Sequence, residues 1–184
     1  NGNFIQLTDV FVIDLSNFKL KKTVTVAKNP NQLVEAGGKV FVVSWDFSSL
    51  EGYIVQEIDP NKDYQVTKIG YASKIAANGD LLYFINSLTD WAVKPWVTTN
   101  TFSTYNIKTN TLNATSFLKN APAELSNTSS FMIDINGDNG DIYIGATFFS
   151  EANGNIYRFK KDGTFVEKFD CGGQGPSDVV FINY

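Results

Sequence analysis

Histidine is absent from the 184 residues, and cysteine, methionine and arginine occur once each, at Cys171, Met132 and Arg158. The lack of histidine removes Ser-His-Asp and Cys-His nucleophilic catalysis, histidine general bases and His-ligated zinc together. Catalysis, if any, falls to carboxylates, tyrosine or lysine. A lone Cys171 cannot close an internal disulfide. Runs of like charge are also missing: 15 basic and 19 acidic residues are scattered to a net charge of -4. Such a chain lacks the basic footprint that phosphate neutralisation demands, so nucleic acid is not an expected partner. No apolar stretch approaches the roughly 20 residues of a membrane helix. Because the sequence starts at Asn1 without a methionine, it reads as a processed or truncated piece of a longer chain.

What is present is apolar and aromatic: 43% hydrophobic and 14% aromatic residues, enough for a sizeable core. No 3.6-residue period persists over ten residues, whereas alternation and short apolar runs recur throughout. The stretch 30–59 sets the plan. Gln32 to Glu35 is a first strand, Gly37-Gly38 a turn, Lys39 to Ser44 (KVFVVS) a buried strand, and Tyr53 to Ile58 a third. After the Asp59-Pro60 turn, Gln65 to Ile69 closes a four-stranded antiparallel meander. The plan recurs as Ser73 to Ala77, Leu81 to Asn86, Thr101 to Ile107 and Thr111 to Leu118, with a long loop between the second and third strands. It recurs again as Ser130 to Ile135, Asp141 to Ala146, Asn155 to Phe159 and Thr164 to Phe169. Asp9 to Leu15 and Leu20 to Val26 are the end of an earlier unit, and Asn3 to Leu7 before them has the length of a short strand. Ser177 to Tyr184 is the first strand of a further one. Anchors Ile13, Ile58, Ile107 and Phe159 lie 45, 49 and 52 residues apart. A four-strand unit at that period is the signature of a β-propeller blade. The expectation is a single all-β propeller domain over 1–184, with units at 1–29, 30–70, 71–119, 120–170 and 171–184. About four blades are present, read as part of a roughly seven-bladed ring. If Asn3 to Leu7 and Ser177 to Tyr184 joined the first unit, a closed four-bladed ring would result instead.

The segments GKVFVVS, GDLLYFIN and NGDIYIG, each followed by an I-D or Y-N strand, resemble the YVTN-type repeat of surface-layer propellers. The stretch from Asn139 to Phe169 is similar to the last blades of secreted propeller lipoproteins of the Bacteroidetes type, many of unknown function. The resemblance spans almost the whole chain and implies a scaffold in the periplasm or on the cell surface of a Gram-negative bacterium. It implies no particular reaction.

Successive connections of a meander alternate between its two ends. One end should therefore carry Trp45, Asp46, Phe47, Tyr71, Trp91, Lys94, Trp96, Phe148 and Phe149 on long loops, with tight Asn/Asp/Gly turns at the other. Aromatic residues offer large contact area at low entropic cost, so this end is the expected binding surface for a small molecule, a glycan or a protein partner. The competing reading has the same residues capping or packing between blades. Asp134, Asn136 and Asp138 in DINGDNGD resemble a calcium loop, but position six is Asn139 and position twelve Gly145, and a tight turn accounts for them equally. Cys171-Gly172-Gly173-Gln174-Gly175 leads into a strand with no following Lys or helix, so it is a linker and not a phosphate cradle. No cofactor is expected. The leading expectation is a non-enzymatic binding propeller. The alternatives are a carboxylate-dependent enzyme acting on a carbohydrate or lactone, since similar-looking propellers include lactonases, and a purely structural surface-layer array.

Overall fold

The run Lys39–Ser44 illustrates how the sequence makes this fold: Phe41, Val42 and Val43 are fully buried, so both faces of the strand meet other side chains. Burying each such residue stabilises the fold by about 1.5–3 kcal/mol. The computed structural model describes residues 6–46, 53–148 and 152–182. Its regular structure is strand, apart from two single-turn 3-10 segments, Pro60–Lys62 and Ala123–Ser126. No helix among the described residues is long and apolar enough to cross a membrane.

The chain forms two compact units, Asn1–Ser73 and Lys74–Tyr184. In the first, β1 (Asp9–Asp14) and β2 (Lys19–Thr25) form a two-stranded antiparallel sheet. Next comes a four-stranded meander of β3 (Pro30–Ala36), β4 (Lys39–Ser44), β5 (Ile54–Asp59) and β6 (Gln65–Tyr71). Val24 from the first sheet and Val26 just after it pack with Val42 and Ile58 from the second. Asp59 closes the turn after β5 by accepting a hydrogen bond from Asn61 N at 3.0 Å.

The second unit contains two four-stranded meanders. One is β7 (Lys74–Asn78), β8 (Leu81–Asp90), β9 (Val97–Asn106) and β10 (Thr111–Asn113). The other is β11 (Ser129–Ile135), β12 (Ile142–Thr147), β13 (Asn155–Phe159) and β14 (Phe165–Asp170). Tyr83, Ile85, Leu125, Ile133, Ile142, Ile144, Tyr157 and Phe159 form their common core. Every four-stranded sheet is an up-and-down antiparallel blade in sequence order, as the repeat implies.

Three expectations need correction. The strand expected over Thr111 to Leu118 stops at Asn113, because Asn113 Oδ1 takes the amide of Thr115 and Ser116 Oγ that of Leu118. Side chains that satisfy the backbone locally remove it from the ladder. Phe117 then enters the core edge-on to Tyr83 and Phe102, and Lys119 bridges in parallel to Thr164. Leu7 lies outside any strand, and residues 3–5 are outside those described. The strand expected at Ser177 to Tyr184 forms no ladder over 177–182. This segment instead meets one face of the last blade through side chains. Pro176 approaches Gly145 and Gly154, Asp178 meets Asp134, and the Phe181 ring lies 5.1 Å from Tyr143. Alternation of apolar residues supplies a face, whereas a strand also needs a partner for its backbone groups.

Candidate functional site

The long loop expected after β8 is largely a β-hairpin. β8 and β9 run ten residues each, with Leu88 opposite Thr99, Thr89 opposite Thr98 and Asp90 opposite Val97. β-Branched residues favour this extension, and the hydroxyls of Thr89 and Thr98 lie 2.9 Å apart across the strands. Only 91–96 remain as the tip. Asp90 Oδ1 accepts the amide of Ala92 at 2.9 Å to start the turn, which contains a cis Lys94-Pro95 bond. Trp91 and Trp96 thus emerge side by side. Their ring centroids are 5.0 Å apart at 68°, and they remain 58% and 45% exposed. The Lys94 ammonium lies 5.9 Å from the Trp96 ring.

Beneath the tip is a cleft of about 180 Å³, lined by Pro95, Trp96 and Thr98 from the hairpin, 127–129 and, after β12, Thr147 and Phe148. Among the described residues, none that lines it is charged. The 127–129 wall is fixed by Asn100, a buried amide on β9 whose Nδ2 lies 2.7 Å from Leu125 O, 2.6 Å from Thr128 O and 3.1 Å from Ser130 Oγ. Ser130 N donates to Ser87 Oγ at 3.1 Å, and Thr128 Oγ1 donates to Glu124 O at 2.8 Å. The side chains of Asn127 and Ser129 make no hydrogen bond among the described residues. Lys74, at the same end of β7, is partly buried, and that burial lowers its pKa.

Trp91, Lys94, Trp96 and Phe148 are therefore brought together at one end of the second unit. In the first unit, Trp45 follows β4 and its ring lies tilted against Tyr53, centroids 5.4 Å apart, while Asn29 Nδ2 donates to Trp45 O at 3.0 Å. Asp46 is half-buried beside it. Tyr71 ends β6, directly opposite Ile54 at the Trp45 end of that blade, and Lys68 lies over its ring at 4.2 Å. Phe47 and Phe149 lie outside the described residues. Sequence reading missed Asn100, Asn127 and Ser129. The available signal was the run of Thr, Asn and Ser flanking the tryptophans, which looks like loop composition until its alternation is paired across a hairpin.

Asp134, Asp138, Asp141 and Glu167 lie outside the cleft lining. In DINGDNGD, Asn136 Oδ1 accepts the amide of Asp138 at 2.9 Å and Asn139 Oδ1 that of Asp141 at 2.8 Å, so both side chains serve the turn. No group of three His, Cys, Asp or Glu among the described residues could hold a metal ion. Asp134, towards the turn end of β11, has its pKa raised by burial and then by its hydrogen bond to the Asp178 carboxyl. Asp141 is buried but paired: Arg158 Nε and Nη2 reach its Oδ2 at 2.9 and 2.7 Å, and Arg158 Nη1 reaches Glu167 at 2.8 Å. These bonds raise the pKa of the guanidinium.

No protein-family model and no curated protein matches the chain. Among solved structures it is similar to a quinoprotein alcohol dehydrogenase-like protein from Bacteroides thetaiotaomicron, with a TM-score of 0.58 at 18% identity. The match covers 87% of this chain and 38% of that one, so the chain spans well under half of its neighbour's length. At this identity the likeness extends to the fold alone, which is of the β-propeller type.

Proposed function

We propose that this chain is a non-enzymatic propeller of the YVTN surface-layer type that works outside the cytoplasm. On this reading it is part of a lipid-anchored or periplasmic protein and recognises a ligand or protein partner through its aromatic loop end. The observation that carries the reading is the Trp91–Trp96 pair: two large rings held edge to face on a long hairpin, half-exposed, beside a cleft. Rigid aromatic groups next to unpaired polar ones are typical of binding hot spots. Residues that merely sealed one blade against the next would be buried, which is why a purely structural array is the weaker account.

A carboxylate enzyme would need acidic side chains converging on a pocket, one with a raised pKa. Asp134 meets the second condition only, since it does not line the cleft and no carboxylate does among the described residues. The test replaces Trp45, Trp91 and Trp96 together with alanine. Binding of the partner should vanish while cooperative unfolding persists; retained binding would refute the proposal. Surface biotinylation of intact cells together with osmotic-shock release of the periplasm tests location, and recovery in the cytoplasmic fraction alone would count against it.

A further inference from the structure

We propose that the cleft beneath Trp96 is a subsite for one neutral sugar ring of a saccharide ligand. The inference rests on the recognition reading above and names its ligand class.

Three properties of the cleft agree on this chemistry. Trp96 offers a half-exposed indole, an apolar platform that suits the C–H face of a pyranose, and Trp91 braces it edge-on so that little ordering is left for binding. Opposite it, Asn127 and Ser129 carry side-chain groups with no protein partner among the described residues. A carboxamide both donates and accepts, as does a hydroxyl, which matches the dual character of sugar hydroxyls. The remaining wall is held in place, because Thr128 is tied to Glu124 and Asn100, and Thr98 to Thr89.

Charge and size narrow the choice. With no Asp, Glu, Lys or Arg among the described residues of the lining, an anionic or cationic ligand would be desolvated there without a counter-charge. A flat hydrocarbon-like ligand would cover Asn127 and Ser129 and leave them unsatisfied. At about 180 Å³ the cleft is smaller than the roughly 300–1,000 Å³ of drug-sized sites, so it accommodates one ring and leaves the rest of an oligosaccharide outside.

The test is ligand-observed saturation-transfer NMR on the full chain with two probe sets. One contains glucose, mannose, galactose, N-acetylglucosamine and their 1,4-linked disaccharides; the other contains small aromatic carboxylates. At least one sugar should receive saturation. W96A should weaken it about tenfold or more, W96F less, and the pair N127A/S129A about threefold to tenfold. K108A, at the other end of its blade, should leave it unchanged. Saturation of no sugar, or of sugars equally in W96A, overturns the assignment. Transfer to the aromatic carboxylates alone, lost in W96A, overturns the saccharide class but leaves the recognition end standing. A chain that binds its partner with Trp91 and Trp96 both replaced overturns the recognition reading itself.

Discussion

The indole of Trp91 stands edge-on to that of Trp96, centroids 5.0 Å apart, immediately beyond the last ladder pair, Asp90 and Val97. The hairpin thus fixes the pair from both sides, and its geometry is a property of the strands as much as of the tip. Edge-to-face pairs contribute about 0.5–1.5 kcal/mol beyond area burial. A double-mutant cycle of W91A and W96A, followed by urea unfolding, should return a coupling of that size. A coupling near zero would mean that the rings are not held together in solution.

Asn100 should be the most sensitive polar residue near the cleft. Its amide serves three acceptors on the segment that forms the cleft wall. N100A strands buried carbonyls and should cost about 2–3 kcal/mol in chemical denaturation. N100D places a carboxylate against the same oxygens and should cost at least as much. If both variants unfold like the unmodified chain, the wall is not fixed in this way.

Gly163 provides a test of the link between the two blades of the second unit. At φ +86°, a Cβ there would lie 1.7 Å from Phe117 O, and Lys119 N donates to Gly163 O at 2.8 Å. G163A should lower stability by more than about 2 kcal/mol. At Gly38, also at positive φ but facing open space, the same change should cost only about 1 kcal/mol. Equal thermal shifts for the two variants would contradict the close approach.

Much of the blade architecture was legible because its signals are local. KVFVVS is buried on both faces and forms β4 over the residues its composition indicates, and the Gly37-Gly38 and Asp59-Pro60 turns end strands where such chemistry requires. The placement of Trp91, Lys94, Trp96 and Phe148 at one end of the second unit follows from the alternation of meander connections. The β8–β9 extension was not, because Ser, Thr and Asn are as common in loops as in strands, and only cross-strand pairing distinguishes the two. Nor was the departure at Asn113, which depends on Phe117 finding a core formed by both blades. The 177–182 segment has strand alternation without a ladder, a distinction set by tertiary pairing alone.

Asp134 makes a prediction about pH. Its pKa is raised in the folded chain by burial and by Asp178, so between the ordinary carboxylate range and the raised value the native state binds more protons than the unfolded state. Stability attributable to this group is therefore present at low pH and falls as pH rises through that window. D134N removes the effect, so its gain in melting temperature over the unmodified chain should be larger at pH 7 than at pH 4. A gain independent of pH would contradict the carboxyl–carboxyl contact.

The claim that the tryptophan-bearing end is the binding surface can be read from its own side chains. With three tryptophans in the chain, 5-fluorotryptophan labelling gives three fluorine resonances, assigned by single replacements. Titration with the saccharide selected above should move the Trp91 and Trp96 resonances along one saturating curve. Saturable binding that leaves both resonances unmoved would contradict the account.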